Sequence, residues 1–179
     1  MTIPSLLHYL KKKDSKVMKF EELLEAEFEN LNFETYINKL PKEVVEALKK
    51  SQQNPDFHPE GNAYNHTKQV FNLVKHYGKD MAIAAIFHDL GKIVTAKIGP
   101  DGKWHNYAHD KHSLEYLDKY LHLFPYENRD LIYYIVKNHM RIRNYEQMRS
   151  SKQKDTREHQ FYNALLDFER ADNAGRKAE

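Results

Sequence analysis

The stretch Ile86-Phe87-His88-Asp89-Leu90-Gly91-Lys92 decides how the rest of the chain is interpreted. It closes an apolar run, and an apolar run of this kind predicts a helix buried at the centre of a helical bundle. A buried helix rarely carries an imidazole and a carboxylate side by side. His88 and Asp89 are both good donors to a divalent metal ion. Gly91 is the residue expected to stop the helix.

Composition indicates one soluble helical domain. The 179 residues suit a single core of ordinary size. Only 6 Gly and 6 Pro are present, which argues against a many-turned β-sandwich and favours helices. The net charge of +2 is too small to indicate nucleic-acid binding by itself, so any such binding requires a local basic patch.

The sequence contains no cysteine, which excludes disulfides and zinc–thiolate sites and leaves nitrogen and oxygen ligands for any metal. The N-terminal segment does not have the order of a signal peptide, because Lys11-Lys12-Lys13 follows its apolar residues instead of preceding them. No apolar run approaches the roughly 20 residues that a membrane span requires. We therefore expect a cytoplasmic protein that contacts no membrane.

Apolar residues recur at helical spacing along most of the chain, which predicts an all-α fold. The central helix is predicted over Met81–Leu90, with Asp80 as its cap. Gly99-Pro100-Asp101-Gly102 indicates a turn, and the short runs beside it predict a small β-hairpin near residues 94–107. The other predicted helices are Met18–Asn30, one opened by Pro41, Asn65–Tyr77, Asp110–Leu123, Tyr126–Asn138 and Thr156–Asp172.

Further metal donors lie at the predicted ends of other helices, which is how a helical bundle builds a metal site. Taken singly, each histidine is more often a partly exposed or hydrogen-bonded residue than a ligand, and His58 is interpreted as a supporting or structural residue. The order and spacing of the whole set argue for ligation. Besides His88 and Asp89, the set contains His66, His109, His139 and Asp172.

This order resembles the HD-domain phosphohydrolase superfamily, whose signature is H…HD…H…H…D. Within the superfamily, the chain is most similar to the HD domain attached to many bacterial tRNA nucleotidyltransferases, and we expect it to stand alone, without a nucleotidyltransferase domain. The resemblance covers roughly residues 57–176. It rests on His58-Pro59-Glu60-Gly61, Asn65-His66-Thr67, His88-Asp89-Leu90-Gly91-Lys92, Lys137-Asn138-His139-Met140 and Ala171-Asp172-Asn173-Ala174-Gly175-Arg176.

The resemblance implies an HD helical bundle with the β-hairpin inserted in it. We predict the HD phosphohydrolase core over residues 56–179. Residues 1–55 match no pattern of the family, and we predict a helical extension packed on the same domain. The role of this extension and the oligomeric state stay open.

By the same resemblance, the six donors hold two divalent ions, and Asp89 bridges them as a catalytic residue. The first ion would be held by His66, His88, Asp89 and Asp172, and the second by His109, His139 and Asp89. His112 is the alternative to His109 as a ligand of the second ion. The family pattern places a small residue four positions after the ligand, and Ser113 fits that position relative to His109. Mixed imidazole and carboxylate ligation suits Mn, Fe, Co, Ni or Zn, and Mg is also possible. A degenerate HD fold that binds no metal is the alternative.

Basic and aromatic residues near the donors predict contacts with a substrate. By resemblance, Lys92 meets the substrate phosphate and stabilises the charge that develops on it. Arg141 and Arg143 are the predicted phosphate contacts of a loop that carries seven basic residues. Trp104 on the hairpin is predicted to stack on a base. A surface lysine, a solvated loop and an ordinary packing tryptophan are the plainer alternatives.

A phosphoester is an anion that repels hydroxide, and divalent ions offset that charge and activate water. We therefore expect a metal-dependent phosphohydrolase that cleaves a phosphoester of a nucleotide or RNA end, as a phosphomonoesterase or 2′,3′-cyclic phosphodiesterase. The alternatives are a nucleoside triphosphate hydrolase or nuclease of the HD superfamily, and a non-catalytic nucleotide-binding HD module.

Overall fold

A computed structural model describes residues 31–178, and helices make up most of this part of the chain. The all-α prediction is confirmed, while the predicted helix Met18–Asn30 lies outside the described residues. Short 3₁₀ helices span Lys75–Tyr77, Leu121–Leu123 and Ile142–Gln147. The helices and strands are α1 (Phe33–Ile37), α2 (Lys42–Lys50), α3 (Ala63–Val74), α4 (Lys79–His88), α5 (Lys92–Thr95), β1 (Lys97–Ile98), β2 (Trp104–His105), α6 (His109–Tyr120), α7 (Arg129–Asn138), α8 (Ser150–Arg157) and α9 (Tyr162–Ala174).

Helix α4 is the centre of the bundle and packs against α3, α6 and α7. Every residue from Met81 to Leu90 is buried, as the apolar run predicts. Fully burying one large apolar side chain contributes about 1.5–3 kcal/mol, so this helix holds its neighbours in place. The polar pair at its end is buried with it, since His88 is 0% and Asp89 2% exposed.

The N-terminal end of α4 differs from the prediction, because Asp80 does not cap its own helix. Gly78 occupies the cap position, with a φ of 113° and no side-chain hydrogen bond. The carboxylate of Asp80 instead accepts the amide N–H groups of Glu127 and Asn128, each at 2.9 Å. It therefore ties the start of α4 to the segment that leads into α7.

Gly91 is needed for close packing and not for ending the helix. Helix α4 ends at His88, and Gly91 has an ordinary right-handed backbone, with φ −60° and ψ −19°. A Cβ at this position would overlap the carbonyl oxygen of His109 and lie 2.7 Å from the amide nitrogen of Ser113. The start of α6 therefore touches the turn after α4 directly, which brings His109 beside Asp89.

The predicted hairpin is confirmed. Strands β1 and β2 pair antiparallel, with Lys97 opposite His105 and Ile98 opposite Trp104. The single helix predicted over Thr156–Asp172 is wrong, since α8 ends at Arg157 and α9 begins at Tyr162. Between them, the ring nitrogen Nδ1 of His159 accepts the amide N–H of Phe161 at 3.2 Å, a local bond in place of a helical one.

The described residues from Phe33 onward belong to one compact unit. Helix α1 packs against α3 and α4, and α2 packs against α3 and α5. The described helices before residue 56 thus lie on the same bundle as the donors, and the boundary between residues 55 and 56 stays a prediction. In residues 31–178, no helix has the length and apolar character needed to cross a membrane.

Ser113 should be essential for the stability of the contact between α6 and the end of α4. Its hydroxyl donates to the carbonyl oxygen of His88 at 2.7 Å and accepts the amide N–H of Gly91 at 2.9 Å. Ser113→Ala leaves that buried N–H unpaired and should lower the free energy of unfolding by about 1–3 kcal/mol in urea titrations. The exposed Ser151→Ala is the control and should change it by less than about 0.5 kcal/mol. Equal effects of the two substitutions would contradict this account.

Candidate metal centre

Six buried donors from five helices converge at one end of α4. His66 belongs to α3, His88 ends α4 and Asp89 follows it, His109 begins α6, His139 follows α7, and Asp172 lies near the end of α9. Each is at most 5% exposed. They form two groups whose ligand atoms lie within 4.8 Å of one another: His66, His88 and Asp172, and Asp89, His109 and His139.

The first group closes around Asp172. The Oδ1 atom of Asp172 lies 2.8 Å from Nε2 of His66 and 3.9 Å from Nε2 of His88. The Oδ2 atom of Asp89 also faces these rings, at 3.6 Å from His66 and 3.3 Å from His88. Asp89 thus contributes to the first group although it belongs to the second.

The second group closes around the other oxygen of Asp89. Its Oδ1 atom lies 3.0 Å from Nε2 of His109 and 3.8 Å from Nε2 of His139, and the two ring nitrogens are 3.2 Å apart. Metal bonds to these atoms are about 2.0–2.2 Å long, which places neighbouring ligand atoms about 3–3.5 Å apart. The spacing in both groups fits a cation between the donors.

Backbone carbonyls fix the orientation of three of the rings. Because a carbonyl oxygen only accepts, Nδ1 of each ring carries a proton, and in the neutral form of a ring a bare Nε2 faces the centre. Burial, together with the charges of His88 and His109, lowers the pKa of His139 to about 3, so this ring is neutral at physiological pH. The bonds run from Nδ1 of His88 to Ala85 at 2.7 Å, of His109 to Asn106 at 2.8 Å and of His139 to Val136 at 2.7 Å.

Two donor atoms at the centre lack hydrogen bonds. The Nε2 atom of His88 is buried without a hydrogen-bond partner. The Oδ2 atom of Asp89 is also without a hydrogen bond, because the ammonium of Lys92 lies 2.7 Å away but is not aligned for one. Buried polar atoms are nearly always bonded. Each of the two atoms carries a lone pair, and both face the same space, where a divalent cation could accept the two lone pairs. The residues therefore fit a metal.

Glu60 is a supporting residue whose role the sequence did not reveal. Its buried Oε1 atom lies 2.8 Å from Nδ1 of both His58 and His66. Burial raises the pKa of Glu60, but the hydrogen bonds from these two rings outweigh it and hold the pKa at about 2. A carboxylate behind a ligating ring fixes its orientation and strengthens it as a donor.

His66 carries a proton where a metal would bind. Burial lowers its pKa, but the hydrogen bonds to Asp172 and Glu60 raise it further, to about 9. Burial also works against ionisation of Asp172, while the hydrogen bond from His66 and the charges of His88, His66 and Arg143 hold its pKa well below the usual range. Metal ligation requires a deprotonated ring, so metal binding would displace this proton.

One buried cation, Lys92, and one partly buried cation, Arg143, neutralise the remaining carboxylate charge. Lys92 is 4% exposed, pairs with Asp89 and donates to the side chain of Gln53. Arg143 forms an ion pair with Oδ2 of Asp172. The charges of Lys92 and the histidines keep the pKa of Asp89 well below its usual range although burial raises it. Lys92 and Arg143 thus lie in contact with the predicted metal ligands.

An open cleft of about 420 Å³ leads to the donors. Lys92, Arg143 and Trp104 line it, as does Arg176, which the sequence interpretation did not single out. The exposed side chains of Phe57 and Tyr107 also line the cleft, and helical periodicity gives no signal for them. Arg141 is not among the lining residues of this cleft, so the predicted pair of arginines is divided between two surfaces.

The structure brings His109, and not His112, to Asp89. The side chain of His112 is 40% exposed and pairs with Glu115 at 3.1 Å. Ser113, four residues after His109, lies on the same face of the helix as His109, where its hydroxyl bonds the turn after α4. The small residue four positions after His109 is therefore the one that allows the close approach.

Residues 63–173, more than half of the chain, match the family model of the HD domain. The chain belongs to the HD domain family. HD domains are generally metal-dependent phosphohydrolases that bind divalent ions, and the described residues include histidine and aspartate groups that could hold a metal ion. No curated protein matches the sequence, and the likeness to the tRNA nucleotidyltransferase branch stays a prediction.

The histidines three residues apart on α6 provide a matched test of this HD domain. His109→Ala removes a donor from the second group and should reduce bound Mn²⁺, measured by plasma mass spectrometry after desalting, by about half. His112→Ala should leave it unchanged. A metal present at 100 times its dissociation constant stabilises a protein by about 2.7 kcal/mol, so the metal-induced rise in melting temperature should shrink only in the first variant. The opposite pattern would show that the ligand is misassigned.

Proposed function

We propose that this HD domain hydrolyses a phosphoester of a nucleotide or RNA end, as a phosphomonoesterase or 2′,3′-cyclic phosphodiesterase. The observation that supports this most is that two arginine side chains in the cleft each have an Nε–H group without a hydrogen-bond partner. The Nε–H groups of Arg143 and Arg176 are both buried without a hydrogen-bond partner, and both residues line the cleft beside the metal donors. An anionic oxygen would satisfy both, and arginine suits phosphate in particular.

The donor groups would hold two divalent ions, drawn from Mn, Fe, Co, Ni, Zn or Mg, with Asp89 between them. Bound there, such ions neutralise phosphate charge and lower the pKa of an attacking water. The chain itself orients the donors through the Nδ1 bonds and keeps His139 neutral, as described above. Lys92, beside Asp89, would stabilise charge on the phosphate as the leaving group departs.

Aromatic side chains at the mouth of the cleft favour a nucleotide over a simple phosphate ester. Tyr107 is 77% and Phe57 62% exposed, and Trp104 lies between solvent and the interior. The ring of Tyr107 stacks on His105 with centroids 5.2 Å apart and planes 8° apart, which holds it in place. Stacking of a base on such a ring is worth about 1–3 kcal/mol.

Ala108 lies between Tyr107 and His109 in the left-handed region, with a φ of 58°. A non-glycine residue there costs about 1–2 kcal/mol. The turn lets the preceding side chain remain exposed while the following one is buried among the donors. Strain of this kind persists where the surrounding structure fixes it, often at functional sites.

A phosphate-release screen tests the proposal and its alternatives. Protein loaded with Mn²⁺, Ni²⁺, Co²⁺ or Mg²⁺ is offered 5′-mononucleotides, 2′,3′-cyclic nucleotides, nucleoside triphosphates and a 3′-phosphorylated oligoribonucleotide. We expect turnover of the 3′-phosphate or the cyclic ester, and its loss in His88→Ala. Selective turnover of triphosphates, or cleavage inside the oligonucleotide, would favour the other HD activities. Metal binding without release from any substrate would favour the non-catalytic module.

Arg176 should contribute to phosphate binding. Arg176→Met removes a donor with no partner in the protein, and hydrogen bonds to charged groups are worth about 1.5–3 kcal/mol. We therefore expect kcat/KM to fall about 10–150-fold, with metal content unchanged. Arg170→Met, which removes an exposed arginine paired with Asp167, is the control and should retain full activity. A fall of the same size in the control would exclude a specific role for Arg176.

A further inference from the structure

A second surface lies on a neighbouring face of the segment that carries Arg143. A groove of about 300 Å³, here called the basic groove, is lined by Arg141, Asn144, Gln147, Met148, Arg149 and Lys152. Arg141 also lines a neighbouring groove of about 460 Å³, here called the aromatic groove. Its other lining residues include Tyr133, Tyr134, Lys137, His159 and Phe161.

The basic groove and the catalytic cleft share one short segment of chain. Met140 and Arg143 line the cleft, while Arg141, Asn144 and Gln147 line the basic groove. The spacing of three residues within each set is that of the 3₁₀ helix Ile142–Gln147, although Asn144 kinks it. The two surfaces are therefore adjacent faces of the same segment.

The cations of the basic groove are free to bind an anion. Arg141, Arg149 and Lys152 are exposed, and none forms an ion pair with a carboxylate in the part of the chain that the structure describes. Their neighbours are engaged, since Lys154 lies 3.9 Å from Glu158 and Arg157 donates to the hydroxyl of Tyr145. Three unpaired cations around one concave surface indicate a ligand with several negative charges.

The aromatic groove adds ring faces to these cations. Tyr134 stacks on His159 with centroids 3.8 Å apart and planes 7° apart, and Phe161 lies beside them. The ammonium of Lys137 lies 5.8 Å from the centre of the Tyr133 ring. Asp130 also lines this groove, where Lys137 and Arg141 outnumber it. Cations interleaved with aromatic faces are typical of surfaces that bind single-stranded nucleic acid.

Other polyanions fit the two grooves less well. An acidic peptide has no need of ring faces beside the cations. A membrane surface requires protruding apolar side chains, and none of the large apolar residues that are exposed in the described part of the chain lines either groove. Bases and phosphates together account for both features.

We propose that the basic and aromatic grooves bind the single strand that leads to the phosphate in the cleft. The substrate is then the end of a nucleic-acid chain and not a free nucleotide. This inference rests on the proposed function for the cleft, but the strand-binding surface itself is measurable without turnover.

Binding of a single-stranded oligonucleotide of 12 nucleotides without a terminal phosphate tests the surface directly. Anisotropy of labelled RNA and DNA is followed with metal-free protein over a range of salt concentrations. Each phosphate contact contributes about 0.7 to the slope of log K against log salt concentration, so the triple variant Arg141→Gln, Arg149→Gln, Lys152→Gln should lower the slope by about 2. A triple variant with the same charge change, Lys42→Gln, Lys50→Gln, Lys119→Gln, should bind as the unmodified protein does.

The proposal is overturned if the groove variant binds with unchanged affinity and salt slope, or if duplex DNA binds more tightly than either single strand. Both RNA and DNA single strands should bind, since the contacts are with phosphates and base faces. Circular dichroism melting of both triple variants should match that of the unmodified protein, because all six substituted residues are exposed.

Kinetics then separate this inference from the proposed function. The groove variant should lower kcat/KM at least about tenfold for a 3′-phosphorylated oligonucleotide, as expected for three lost phosphate contacts. It should leave kcat/KM for a 3′-phosphorylated mononucleotide unchanged. If the groove variant and the unmodified protein have the same kcat/KM on each of the two substrates, the strand-binding inference is overturned and the proposed phosphohydrolase function stands. Strand binding that depends on the groove, without phosphate release from any substrate, would overturn only the proposed function.

Discussion

The buried carboxylate of Asp89 is the constraint on which the site depends. A charge removed from water costs several kcal/mol unless other charges and hydrogen bonds compensate it. At the end of α4, one oxygen of Asp89 faces His66, His88 and Lys92, and the other faces His109 and His139. Helices α3, α4, α5 and α6 and the residue after α7 therefore all direct a nitrogen at one carboxylate.

In the absence of metal, protons and side-chain cations balance this charge. His66 holds a proton against Asp172, Arg143 pairs with the same carboxylate, and Lys92 pairs with Asp89. A divalent ion in either group would take over that neutralisation. Lys92 and Arg143 would then be available to a phosphate, which explains why the same residues lie beside both the ligands and the cleft.

The sequence predicted which polar side chains lie together better than it predicted the residues around them. Through the family resemblance, the order of His66, His88-Asp89, His109, His139 and Asp172 predicted a set of side chains that the structure brings together, and their role as metal ligands stays a prediction. Ser113 distinguished His109 from His112 through a family pattern, and the structure supplies the physical reason, which is the close contact at Gly91. Helical periodicity also located the central helix, since a helix buried on all sides is apolar on all sides.

Features that depend on long-range contacts were not predictable. Asp80 looked like a cap of its own helix but bonds backbone groups 47 and 48 residues away. Arg141 and Arg143 looked equivalent in sequence. They lie on adjacent faces of one short segment and therefore line different surfaces. Glu60 and Arg176 gain their roles from partners, or from a lack of them, that only the folded chain defines.

The most direct test of the central claim is anomalous diffraction from crystals soaked in Mn²⁺. The account predicts two anomalous peaks about 3.5–4 Å apart, as in other two-metal sites. One should lie among His66, His88 and Asp172, the other between His109 and His139, with an oxygen of Asp89 contacting each. Crystals that show no peak within bonding distance of Asp89 at saturating metal would contradict it.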